Sequence, residues 1–101
     1  MARIDLKHET SLSAAEIKGK AETLINEALR DKADKISDFQ QEWEGNLLTF
    51  SFKVKKFKVF SISGTARVYD NSIKIVLDGI PGLAKSKVEN ALRQKAKELF
   101  P

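Results

Sequence analysis

Apolar and polar positions alternate at the start of the chain: Ile4, Leu6 and His8 share one parity, and Asp5, Lys7 and Glu9 share the other. A period of two marks a half-buried strand, here ending near Thr10. The period then changes. Ser13 stands where an N-cap is wanted, Glu16 follows three residues later for a reciprocal capping bond, and Leu12 faces Ile17 as a hydrophobic staple. Ile17, Ala21, Leu24, Ile25, Ala28 and Leu29 then form an apolar stripe at helical spacing, predicting a helix to about Lys32. Gly19 is out of character within it, costing about 1 kcal/mol relative to alanine.

Residues 33–38 read as a connection. Phe39, Gln41 and Trp43 alternate with Gln40, Glu42 and Glu44 and predict a second strand, which Gly45-Asn46 turns into a third carrying Leu48, Phe50, Phe52 and Val54. Apolar parity slips at Phe57 and Val59 before returning at Phe60, Ile62, Ala66 and Val68, so a turn or bulge is expected between Val54 and Phe60. Asp70-Asn71 supplies another hairpin turn, followed by a fifth strand with Ile73, Ile75 and Leu77. Gly79-Ile80-Pro81-Gly82 breaks the strand pattern. Pro81 suits the opening of a final helix with Ala84, Val88, Ala91, Leu92, Ala96 and Leu99 on one side.

The predicted order is β-α-β-β-β-β-α, an α+β class built on an antiparallel sheet. Phe39, Trp43, Leu48, Phe50, Phe52, Ile62, Val68, Ile73 and Ile75 can share one face, which the two helices would cover. The other face, with Gln40, Glu42, Thr49, Ser51, Ser61, Ser63, Thr65, Arg67 and Lys74, is expected to be wet.

A length of 101 residues fits a single domain spanning 1–101. The composition, 42% hydrophobic and 32% charged, is that of a globular chain. No apolar run is long enough to span a bilayer and no signal-peptide stretch opens the sequence, so a cytoplasmic protein is expected. The absence of cysteine excludes disulfides, thiolate metal sites and cysteine nucleophiles. The net charge of +4 is uneven: residues 1–37 balance, residues 38–52 carry only Asp38, Glu42 and Glu44, and the basic excess lies beyond them. An excess of this kind attracts an anionic surface, but its modest total argues against a dedicated nucleic-acid binder.

Catalytic chemistry has little to work with. His8 is the single histidine and no second ligand, nucleophile or orienting carboxylate is placed beside it, so it reads as a core or sheet-end residue bonded to backbone. Glu42 and Glu44 share an exposed strand face and read as solvated. The glycines form no phosphate-binding pattern. These residues predict a protein that is not an enzyme, with no cofactor and no metal site.

Two features suggest binding. Lys53, Lys55, Lys56 and Lys58 interleave with Val54, Phe57, Val59 and Phe60 at a turn, joining positive charge to apolar contact; Lys53, Lys55, Lys56, Phe57, Lys58 and Phe60 are the candidate surface. The alternative is a solubilised hairpin whose lysines protect an edge. Gly64 and Ala66 are small residues on the inner parity of the fourth strand and leave room for close helix packing or for a pocket. Lys95 falls on the otherwise apolar stripe of the last helix, either snorkelling past the core or facing a partner. Gly64, Ala66 and Lys95 are thus the candidate groove.

Ala2-Arg3-Ile4-Asp5-Leu6, the helix after Ser11-Leu12, Trp43-Glu44-Gly45-Asn46-Leu47 with Phe50, Gly64-Thr65-Ala66-Arg67-Val68 through Asp70 and Ile73, and the closing amphipathic helix together resemble the polyhydroxyalkanoic acid system family, over nearly the whole length. The lysine-rich turn departs from that family's shorter, less basic one. The resemblance implies a bacterial cytoplasmic protein connected with storage-polyester metabolism, and partners such as a granule surface or a granule-associated protein. The element order also resembles a reduced helix-grip layout, an analogy of fold alone. The expected function is a non-enzymatic accessory or binding protein. A structural or regulatory protein that dimerises or binds a protein partner, and a small apolar-ligand-binding module, are the alternatives.

Overall fold

The first alternating segment forms β1 (Ala2–Glu9), and the stapled, capped segment forms α1 (Ala14–Arg30). There follow β2 (Lys35–Glu44), β3 (Leu47–Lys55), β4 (Val59–Tyr69), β5 (Ser72–Ile80), a 3-10 turn over Gly82–Ala84 and α2 (Lys85–Leu99). The structure is a computed structural model describing residues 2–30, 35–55 and 58–101. The fold is α+β in the predicted order.

All neighbouring strands are antiparallel, in the order β1-β5-β4-β3-β2, so β1 and β2 are the sheet edges. The two tight turns use positive φ at Gly45 (60°) and Asn71 (64°). Both helices cover one face: α1 crosses β4 and β5, while α2 lies along β1 and against α1. Ile17, Leu24 and Ile25 of α1 and Leu92 and Ala96 of α2 are buried against Leu6, Phe50, Ile75 and Leu77 of the sheet. At about 25 cal/mol per Å² of apolar surface, this shared core is the main force holding the layers together.

Two strand boundaries differ from the sequence reading, each for a local reason. The connection expected over 33–38 is shorter, because β2 already pairs with β3 from Lys35. Between Ser37 and Gln40 the register slips by one residue, and Asp38 has φ 54°. This bulge reverses side-chain parity, so Ile36 and Phe39 both pack on the core although three residues apart. A second irregularity carries β5 beyond Leu77 to Ile80: Ala2 pairs with Ile80 but Ile4 with Leu77, and Gly79 has φ 89°. Leu77 and Ile80 can therefore both be buried. Between β3 and β4 there is no slip, since Val54 pairs with Phe60 and Lys55 with Val59. Inner parity is therefore even on both strands and Val59 faces outward; Lys56 and Phe57 lie outside the described residues, as do Asp31–Asp34, where the end of α1 is expected.

Candidate docking surface

The β3–β4 hairpin carries the sequence-predicted basic segment to one end of the sheet. Lys53, Lys55 and Lys58 are exposed there. Lys53 reaches the β2 bulge, its Nζ 3.5 Å from Asp38 Oδ2, with both side chains at least half exposed. An exposed pair of this kind contributes at most about 1 kcal/mol and leaves the lysine available to a stronger anion. The Nζ of Lys58 stands 5.3 Å from the centre of the Phe60 ring, a cation–π contact that holds charge and aromatic surface together.

Helical cover thins toward this end. Leu48, Phe50, Ala66 and Val68 are buried, whereas Ile36, Val54 and Phe60, nearer the tip on the same face, are only half-buried. On the opposite face Val59 is 59% exposed. In the sequence Val59 marks the parity slip and is one of the apolar residues interleaved with the lysines; its odd position, opposite Lys55, places it outward. The tip thus presents aliphatic and aromatic carbon beside lysine ammonium groups. Of the candidate surface, the structure brings Lys53, Lys55, Lys58 and Phe60 together, and Lys56 and Phe57 lie outside the described residues.

Gly64, Ala66 and Lys95 are not brought into one groove. A Cβ on Gly64 would lie 2.5 Å from Val76 O, 2.7 Å from Leu77 Cδ2 and 2.7 Å from Phe50 Cζ, so the space beside it is filled. Ala66 is fully buried. Lys95 sits on the far flank of α2, bridging to Glu27 of α1 at 3.5 Å and to Glu98 at 3.1 Å. Hydrogen bonding to Glu98 and its charge, joined by Glu27, raise the lysine above its ordinary value of 10.5, against partial desolvation. Lys95 lines an open interhelical depression of about 400 Å³ with Ala28, Lys87 and Gln94. Another depression, about 410 Å³, lies on the wet face between Asp38, Gln40, Ser51, Lys53 and Ser61.

No family model, curated protein or solved structure matches this chain. The chemistry is therefore read from the residues themselves. His8 donates from Nε2 to the carbonyl oxygen of Phe100 at 2.8 Å and is engaged at the sheet end, as its sequence context suggests. Glu42 and Glu44 are exposed on the wet face. Among the described residues no cluster of three or more His, Asp or Glu side chains is arranged to hold a metal ion, and no helix is long and apolar enough to cross a membrane.

Proposed function

We propose that this chain is a non-catalytic accessory protein that docks on the anionic, partly apolar surface of a storage-polyester granule through the end of the β3–β4 hairpin. The observation that carries the reading is the meeting of Lys53, Lys55 and Lys58 with exposed Val59 and half-buried Phe60 at that tip. Lysines near an anionic surface contribute about 1 kcal/mol each, and apolar side chains that leave water add to this. The family resemblance supplies the granule and a cytoplasmic site of action. A small apolar ligand between helix and sheet has less support, because Gly64 is tightly enclosed. Dimerisation through the helix stripes also has less, since Ile17, Leu24, Val88 and Leu92 are already buried within the chain.

Co-sedimentation with purified polyester granules tests the proposal. The native chain should pellet with them, and the combined Lys55→Glu, Lys56→Glu and Lys58→Glu variant should remain largely in the supernatant. Unchanged pelleting of that variant would remove the tip from the account.

A further inference from the structure

Strand register divides the molecule into two poles. Lys35 pairs with Lys55, Lys55 with Val59, and Ala2 with Ile80, which gathers the starts of β1, β2 and β4 and the ends of β3 and β5 at one pole. The 3-10 turn and the first turn of α2 follow Ile80 directly and belong to the same pole. At the other pole Glu9 pairs with Ser72 and Glu44 with Leu47, and Asp70 receives a hydrogen bond from the first residue of α1.

Charge follows this division. The first pole exposes Arg3, Lys53, Lys55, Lys58, Lys85 and Lys87. Among the described residues its nearby carboxylates are Asp38, tied to Lys53, Asp78 within β5, Glu89 one turn into α2, and Glu27 in the last turn of α1, bridged to Lys95. The opposite pole is close to neutral: Glu9, Glu16, Glu44, Asp70 and Glu98 are set against Arg67, Lys18, Lys97 in the last turn of α2, and Lys20, which reaches the carbonyl oxygen of Leu99. Lys18 is engaged by the carbonyl oxygen of Gly45.

Apolar exposure follows the same division. Among the described residues the exposed large apolar side chains are Val59 at 59%, Tyr69 at 45% and Leu83 at 100%. Val59 and Leu83 lie at the basic pole, and Tyr69, which carries its own hydroxyl, at the opposite one. A single exposed leucine is ordinary. Two aliphatic side chains confined to the pole that also gathers the lysines form a pattern that folding does not require, because Leu83 contributes no burial to the core.

We infer that the basic pole is a two-pronged docking face for an anionic phospholipid layer. Val59 on the β3–β4 hairpin and Leu83 ahead of α2 enter among the headgroups, while lysines of the hairpin and of the first turn of α2 meet phosphates. The inference rests on the reading of the hairpin tip as a docking element and widens it to a second segment, distant in sequence. Lipid fits better than nucleic acid. Among the described residues the large apolar side chains that this pole exposes, Val59 and Leu83, are aliphatic and suit acyl chains, whereas single-stranded nucleic acid calls for exposed aromatic faces on which bases stack.

Sedimentation with vesicles of pure phosphatidylcholine and with vesicles of equal parts phosphatidylcholine and phosphatidylglycerol tests it. The native chain should partition to the anionic vesicles and not to the neutral ones. Leu83→Asp should weaken partitioning about tenfold, as expected for withdrawing one buried leucine. Lys85→Glu and Lys87→Glu should each weaken it at least fivefold or so. Tyr69→Asp, at the opposite pole, should change nothing. Because Leu83 is fully exposed, loss of binding at that position is not loss of fold, and an unchanged melting temperature checks this. Equal binding to neutral vesicles would overturn the inference, as would indifference to Leu83→Asp. So would preferential capture by single-stranded RNA that depends on the lysines but not on Leu83. Granule binding without vesicle binding would sink the lipid assignment and leave the granule reading standing; vesicle binding without granule binding would do the reverse.

Discussion

The Nε2–H of His8 donates to the carbonyl oxygen of Phe100 over 2.8 Å, joining the edge strand to the end of the last helix across 92 positions of sequence. The two rings also lie near each other, with centroids 6.2 Å apart. Thr10 Oγ1 and the Ser11 backbone N–H both donate to the carbonyl oxygen of Pro101, at 2.6 and 3.2 Å, so the segment after β1 grips the same stretch. His8 is thus a fastener between layers. His8→Ala should cost about 1 kcal/mol, a fall of about 4–8 °C in melting temperature. His8→Gln, which keeps a donor, should recover part of it. Neither variant should alter granule or vesicle binding, because His8 lies away from the basic pole. A large binding defect in a folded His8→Ala protein would contradict this division of labour.

The start of α1 makes an independent prediction. Ser13 Oγ accepts from the Glu16 backbone N–H at 3.3 Å, and Glu16 Oε1 accepts from the Ser13 backbone N–H at 3.3 Å. This is a closed capping box, reinforced by the Ala14 N–H donating to Asp70 Oδ1 at 3.1 Å. Ser13→Ala should cost about 1 kcal/mol, and amide exchange should quicken in the first turn of α1 while β3 and β4 stay protected. Uniform acceleration across the sheet would mean that the cap governs global folding rather than the helix end.

That capping box was legible from Ser13 and Glu16 alone, because a cap is a local pattern with a fixed spacing. The β3 alternation at Leu48, Phe50 and Phe52 was legible for the same reason. What escaped is where alternation is broken by a backbone irregularity. Asp38 and Gly79 each insert one residue against a neighbouring strand, and for Gly79 that strand, β1, lies at the far end of the sequence. The lysines of the candidate surface could be read as a cluster in sequence. Their convergence with Leu83 could not, because it depends on β5 ending beside the start of β4. Gly64 shows the limit from another side: a small residue on an inner parity signals either space or crowding, and only the positions of Phe50, Val76 and Leu77 decide for crowding.

The glycines therefore predict opposite signs for one chemical change. At Gly19 a Cβ would meet nothing within 4 Å, and Gly19→Ala should stabilise the helix by about 1 kcal/mol. At Gly64 the added methyl would press on a backbone oxygen and two core side chains, costing about 1–3 kcal/mol. Gly79→Ala should be the most harmful, combining φ 89° with a Cβ position 2.3 Å from Ser61 O. Urea midpoints should rise for the first variant and fall for the other two. A neutral Gly64→Ala would show that the sheet and helix layers yield more readily than their packing implies.

Lys95 carries the pH prediction. Its side chain is 26% exposed and bridges Glu98 within α2 and Glu27 on α1. Both carboxylates favour the ammonium form, Glu98 most, so the folded value lies above the ordinary 10.5. The stabilisation is then fully present below the unfolded value and is lost as pH rises through the higher folded one. Lys95→Gln should lower the melting temperature at neutral pH, and the gap from the native chain should close in strongly alkaline solution. Salt should narrow the same gap at neutral pH, since much of the bridge is open to solvent. A gap independent of both pH and salt would assign the effect to lost packing of the lysine stem between α1 and α2 rather than to its charge.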